Sequence, residues 1–295
     1  MNRFPLETRA KLLHMLVEGN SLRATSRMAD VSYNAVLKLV SDAGKACSEY
    51  QDAVLRNLPC KHIQVDEIWA FCYTKQKNVE TAKRPVEGAG DIWTRTAICA
   101  DCKLVPSWLV GARDAEYALA FMHDLKQRLR YRVQFTSDGH RVYLEAVEPA
   151  FGSEIDYAML IKLYGTPPEA ETRYSPVECI GVQTQRIQGN PEWEHISTSY
   201  VERQNLTMRM ALRRFTRLTN GFSKKAENYA YAVALHYMYY NFGRIHKTLR
   251  VTPAMEAGVS DHIWTMEEIA ALMDANYTPK PRGPYKKKVR PENSN

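Results

Sequence analysis

No run of about eighteen apolar residues occurs in the 295-residue chain, which excludes a helical membrane span. Met1-Asn-Arg-Phe-Pro5 is not followed by the apolar stretch of a secretory leader. The protein is therefore expected to be soluble, cytoplasmic and without membrane partners. Cysteine is scarce: six residues at 47, 60, 72, 99, 102 and 179 are too scattered for a disulfide framework in a chain this long. Cys99-Ala-Asp-Cys102 is the one CxxC. No second knuckle or spaced histidine pair accompanies it, so a four-ligand structural zinc is not expected and the two cysteines should flank a turn at Asp101. Acid is missing from one long stretch. Between residues 203 and 225 there is no Asp or Glu, while Arg203, Arg209, Arg213, Arg214, Arg217, Lys224 and Lys225 all fall there.

What is present points to a globular protein with an anionic partner. Hydrophobic residues make up 45% of the chain, enough for a core. Forty Lys+Arg against 33 Asp+Glu give +7 and a pI near 9.0, which favours nucleic acid first and an acidic membrane surface second.

Residues 5 to 47 carry helical patterns separated by turns. Leu12, Leu13, Leu16 and Val17 form an apolar stripe ending at Gly19-Asn20, Ser21 caps a short helix, and a third helix starts near Tyr33. Two short helices joined by a tight turn match a helix-turn-helix with Ser32, Tyr33, Asn34 and Lys38 on its second member. A helical bundle without DNA contact is the alternative. This unit is placed at 1–50, followed by a polar connection at Ala46 to Leu58.

A β-branched and aromatic run, Lys61 to Tyr73, predicts a strand. Period two sets Gln64, Asp66, Ile68, Ala70 and Cys72 on one face and Glu67 on the other. An acid amid apolar neighbours is unfavourable unless paired or metal-bound, so Asp66 is a candidate ligand. Strands at Asp91 to Ala100 and Lys103 to Gly111 follow, then a helix from Asp114. A fourth strand, Arg132 to Ser137, ends at Asp138-Gly139, where Asp138 is either a turn residue or a ligand at a strand's carboxyl end. A helix stopped by Pro149 and a fifth strand at Asp156 to Tyr164 complete the pattern. Residues 165–196 are expected to be an irregular insertion, 259–278 to contain a C-terminal helix, and the proline-rich basic segment 279–295 to be disordered.

Ser199-Tyr-Val-Glu202 opens a basic helix and fits a capping box. Glu202, Asn205 and Arg209 also share one helical face, and an acid among uncompensated arginines suits a metal beside phosphates. Tyr229, Val233 and Tyr240 on the next helix read as core, and His140 and His246 as structural histidines. Asp66, Asp138 and Glu202 together could hold two divalent cations about 3.5–4 Å apart for phosphoryl transfer, and carboxylates suit Mg²⁺ or Mn²⁺.

Gln64-Val-Asp-Glu-Ile-Trp69, Thr136-Ser-Asp-Gly139, Tyr200 through Arg209, Arg214 through Asn220 and Tyr240 through Pro253 together resemble transposases of the "insertion sequence one" family. The resemblance covers about residues 60–258 and is most specific from 197 to 258. No cysteine precedes Cys47, where members of that family carry a zinc-finger segment. The resemblance implies an α/β fold with an RNase H-like mixed five-stranded sheet flanked by helices, in a catalytic domain at 58–258 behind the helix-turn-helix. It also implies a DDE triad of Asp66, Asp138 and Glu202, and Mg²⁺-dependent cleavage and strand transfer at terminal inverted repeats by a homo-oligomer on double-stranded DNA. Arg203, Arg209, Arg213 and Arg214 would meet DNA. A catalytically inactive regulator and a plain nuclease are the rival expectations.

Overall fold

A computed structural model describes residues 3–84, 86–165, 179–216 and 220–275. The tail expected at 279–295, Arg217 and residues 166–178 of the expected insertion lie outside the described residues.

Three helices come first: α1 (Leu6–Val17), α2 (Leu22–Met28) and α3 (Tyr33–Val54). Ser21 and Ser32 cap α2 and α3, accepting from the backbone N–H of Ala24 and Ala35. The third helix runs through the segment expected to be a polar connection. Its second half is amphipathic, burying Cys47 and Gln51, and Gln51 Nε2 donates to the Ala234 carbonyl of a later helix.

The sheet comprises β1 (His62–Cys72), β2 (Gly90–Cys99), β3 (Ser107–Gly111), β4 (Val133–Ser137), β5 (Ile155–Tyr164) and β6 (Cys179–Gln188). Their spatial order is β3-β2-β1-β4-β5-β6. The first three form an antiparallel meander; β1, β4 and β5 run parallel; β6 returns antiparallel to β5. This arrangement of the first five strands is that of an RNase H-like core. The sheet has six strands, not five, because residues 179–188 form an edge strand within the segment expected to be irregular. Most residues of β6 are exposed, so no alternation of buried apolar residues announces it.

The parallel pairs are linked by α4 (Ala115–Arg128) and α5 (Val142–Phe151). Asp114 caps α4 through the N–H of Tyr117. Pro149 lies inside α5 instead of ending it; burial of Val147 and Phe151 holds the last turn in place. These two helices cover the face of Ile63 and Val65, packing Phe121, Leu125 and Tyr143 against Phe135. On the opposite face lie α6 (Ser199–Ala211) and α7 (Ala226–Met238), where Ile68 and Cys72 meet Val201, Met208, Tyr229, Val233 and Tyr237. The tyrosines are core, as their helical spacing predicts: Tyr229 and Tyr237 bond Thr94 and Thr96 of β2. A π-helical turn at Tyr239–Gly243 and the short helices α8 (Pro253–Glu256) and α9 (Met266–Ala271) follow towards the end of the described residues. Arg9 ties α1 to this end through Asp274 and the Ala270 carbonyl. Among the described residues no helix is long and apolar enough to cross a membrane.

Candidate active site

The parallel ladder between β1 and β4 pairs Val65 with Ser137. One residue further along each strand stand Asp66 and Asp138, so the register alone sets these acids side by side. Glu202 reaches the same place from the first turn of α6. All three line one cavity of about 510 Å³, together with Arg113, His140, Lys162 and Thr198.

The helix carrying Glu202 starts in a way its own sequence conceals. Its N-cap is Thr198, which makes no side-chain cap. The Ser199–Glu202 capping box, the alternative that the sequence leaves open, does not form. Instead Gln64 of β1 accepts from the N–H groups of Tyr200 (2.9 Å) and Val201 (3.2 Å) through Oε1. Freed from capping, the Glu202 carboxylate pairs with Lys162 and accepts from the Thr198 hydroxyl.

Asp66 is held differently. Its Oδ1 accepts from the Glu67 N–H (2.7 Å) and its Oδ2 from Asn205 Nδ2 (2.8 Å). Burial first, and then the Asp138 and Glu202 charges, push its pKa up to about 7 against the opposing pull of the two hydrogen bonds. Asp138 accepts from the His140 N–H at 3.0 Å. Its pKa is also raised, by burial first and by the Glu67 charge, against the pull of His140 and Arg113. Across the strand, Glu67 pairs with Arg95 (3.2 Å) and Arg113 (2.7 Å). Arg95 Nε lies near Glu67 without hydrogen-bond geometry and has no other partner, so this contact is an ion pair only.

A scan against models of known protein families finds no match, and a search of curated proteins finds none either. Among solved structures, the chain is similar to the "Mos1 transposase paired-end complex with left transposon end", at 14% identity and a TM-score of 0.24 over 53% of this chain and 60% of that one. A second is the "Crystal structure of the Mos1 Strand Transfer Complex", at 14% identity and a TM-score of 0.22 over 52% and 59%. A third is the "Crystal structure of the Mos1 mariner paired end complex with Mn", at 14% identity and a TM-score of 0.20 over 50% and 59%. The chain thus spans about three fifths of the length of these structures. Strand order and register, not these likenesses, identify the RNase H-like core.

The donor chemistry of the cavity fits a hard divalent cation. Every acid offers oxygen only, and Asp66 is a carboxylate whose charge burial opposes, so a cation would relieve it. Asn205 Oδ1, on the residue that touches Asp66, is buried without a hydrogen-bond partner. The acids are spaced more widely than two other groups among the described residues, Cys60 with Cys99 and Cys102, and His62 with Glu192 and His195, each of which brings its donor atoms within 4.8 Å.

Lys162, Arg113 and Thr198 carry no motif that marks them in the sequence. Asn205 carries one, its place three residues after Glu202. His140 lines the cavity and accepts from the Val142 N–H; His246 bonds Thr248 elsewhere. Around the start of α3, Tyr33, Asn34 and Lys38 are exposed, with Lys38 paired to Asp42, while the Ser32 hydroxyl serves as the cap. Arg203, Arg209 and Arg213 are exposed. Arg214 is half-buried, donating to the Ser223 hydroxyl, and burial lowers its pKa. Tyr33, Arg213 and Arg214 line a second cavity of about 440 Å³ with Arg23 and Lys224.

Proposed function

We propose that this chain is a DNA transposase of the "insertion sequence one" type, cleaving and joining DNA strands at the inverted repeats of a mobile element. One observation carries the reading: three acids separated by more than sixty residues in each interval line one cavity, between the cations Arg113 and Lys162. The motif resemblance around Asp66, Asp138 and Glu202 supports it independently. These acids would hold two Mg²⁺ or Mn²⁺ ions. Bound there, the ions would activate the attacking oxygen and stabilise the leaving oxygen of an in-line phosphoryl transfer.

The chain's own groups have separate tasks. Asn205 fixes the Asp66 carboxylate, the His140 N–H orients Asp138, and Arg113 offers positive charge to a phosphate at the cavity wall. Lys162 holds Glu202 until an ion takes its place. Arg203, Arg209, Arg213 and Arg214 would follow the DNA backbone, with α3 reading the element's ends through Ser32, Tyr33, Asn34 and Lys38. Action at paired ends would call for a homo-oligomer on double-stranded DNA, in the cytoplasm beside the nucleoid.

A non-catalytic DNA-binding regulator is the rival, favoured by the engagement of Glu202 with Lys162 and Thr198. The two separate in an assay joining a labelled terminal repeat into plasmid with Mn²⁺. Native protein should join, and Glu202→Gln should lose joining while keeping its fold and DNA affinity. Equal joining by both removes Glu202 from the chemistry. No joining by either, with DNA binding intact, favours the regulator, and cut but unjoined products favour a nuclease.

A further inference from the structure

The turn at Asp101 is more than a bare connection, because a third cysteine meets it. Cys60, on the segment entering β1, brings its thiol to those of Cys99 and Cys102, with the three sulfurs all within 4.8 Å of one another. All three side chains are buried. The backbone of the turn is shaped around the sulfurs. Lys103 N–H donates to the Cys99 carbonyl (2.9 Å) and Cys99 N–H to the Leu104 carbonyl (2.8 Å). Lys103 itself sits in the left-handed region at φ 59, an uncommon conformation for a residue with a side chain. The Cys99 thiol donates to Asp101 Oδ2 at 3.6 Å.

Three converging sulfurs are soft ligands, unlike the oxygens around Asp66.

We propose that Cys60, Cys99 and Cys102 form a structural zinc site, with water or a small exogenous ligand in the fourth tetrahedral position. Among the described residues no fourth His, Cys, Asp or Glu lies within 4.8 Å of all three sulfurs. Zinc entry displaces the thiol protons to solvent. The ion clamps the lead-in of β1 to the end of β2, six residues before Asp66. Its effect extends further, because the Lys103 ammonium lies 3.5 Å from the centre of the Tyr200 ring on the first turn of α6. The site is independent of the proposed reaction, and its test needs no DNA.

Full-length protein purified under reducing conditions, with no metal added, is analysed for zinc, then stripped and titrated with Co²⁺. A single zinc per chain and an intense thiolate-to-cobalt absorption saturating at one ion are expected. Both should be lost in Cys60→Ser and in Cys102→Ser and retained in Cys179→Ser, whose cysteine is exposed and apart from the cluster. X-ray absorption on the zinc protein supplies a reading that needs no variant to fold: three sulfur neighbours at about 2.3 Å are expected. Absence of zinc together with absence of the cobalt band, persistence of the band in both cluster variants, or a zinc shell of nitrogen and oxygen alone would each overturn the proposal.

Discussion

Replacing Asp66 with asparagine should make the metal-free protein more stable at alkaline pH. The Asp66 carboxyl titrates at about 7 in the folded protein instead of 3.8, chiefly through burial. The sign follows from proton binding. Below about pH 4 both folded and unfolded chains hold the proton, and the ionisation penalty is absent. Between there and neutrality the folded state keeps a proton that the unfolded state has released, so stability falls as pH rises; above neutrality the penalty is complete. At about 1.4 kcal/mol per unit, a shift of roughly three units amounts to on the order of 4 kcal/mol. That figure already includes the opposing hydrogen bonds from the Glu67 N–H and Asn205, so a gain of up to about 4 kcal/mol is expected. Urea unfolding in chelator at about pH 8 and about pH 4 measures it, with the gain confined to the higher pH. Adding Mg²⁺ should stabilise the native protein and leave the variant nearly unchanged. A variant less stable than the native protein at the higher pH in chelator would refute the reasoning.

Glu67→Gln should cost about 3–5 kcal/mol in urea unfolding, because it removes the carboxylate that balances the charge of Arg95, which is 0% exposed and would keep only its bonds to the Ala112 and Asp114 carbonyls. Gly44→Ala should cost about 1–3 kcal/mol or more, since a Cβ there would lie 2.2 Å from the Tyr231 carbonyl oxygen and force α3 from α7. A lower denaturant midpoint would register the loss. Gln64→Ala should lose about 1 kcal/mol of capping and speed hydrogen exchange in the first turn of α6, with little change in α4.

Much of the fold is legible in the sequence where periodicity and capping agree. The alternation of β1, the Asp114 cap of α4 and the Asp138-Gly139 strand end each have a local cause, and each corresponds to the structure. Features decided by distant partners are not legible. Residues 46–54 look like a polar connection until Cys47 and Gln51 are seen to be buried in the helical layer. The Ser199–Glu202 pair has the composition of a capping box, yet a glutamine more than a hundred residues earlier takes that task. Cys60 stands far from the CxxC in sequence and joins it only because β1 and β2 pair. The candidate acids are legible through their chemistry and motifs; the surrounding Lys162, Arg113 and Thr198 depend on β5, the β3–α4 connection and the α6 start coming together.

The cap supplied by Gln64 makes the third acid conditional on the first. No side chain of the α6 segment itself caps its start, and short helices are marginal in isolation, so Glu202 is placed only when the strand bearing Asp66 is in the sheet. A chain still emerging from synthesis therefore holds its acids apart, and a proteolytic piece lacking β1 or α6 cannot assemble the cavity. Completion of the fold acts as the safety catch on any chemistry these acids perform.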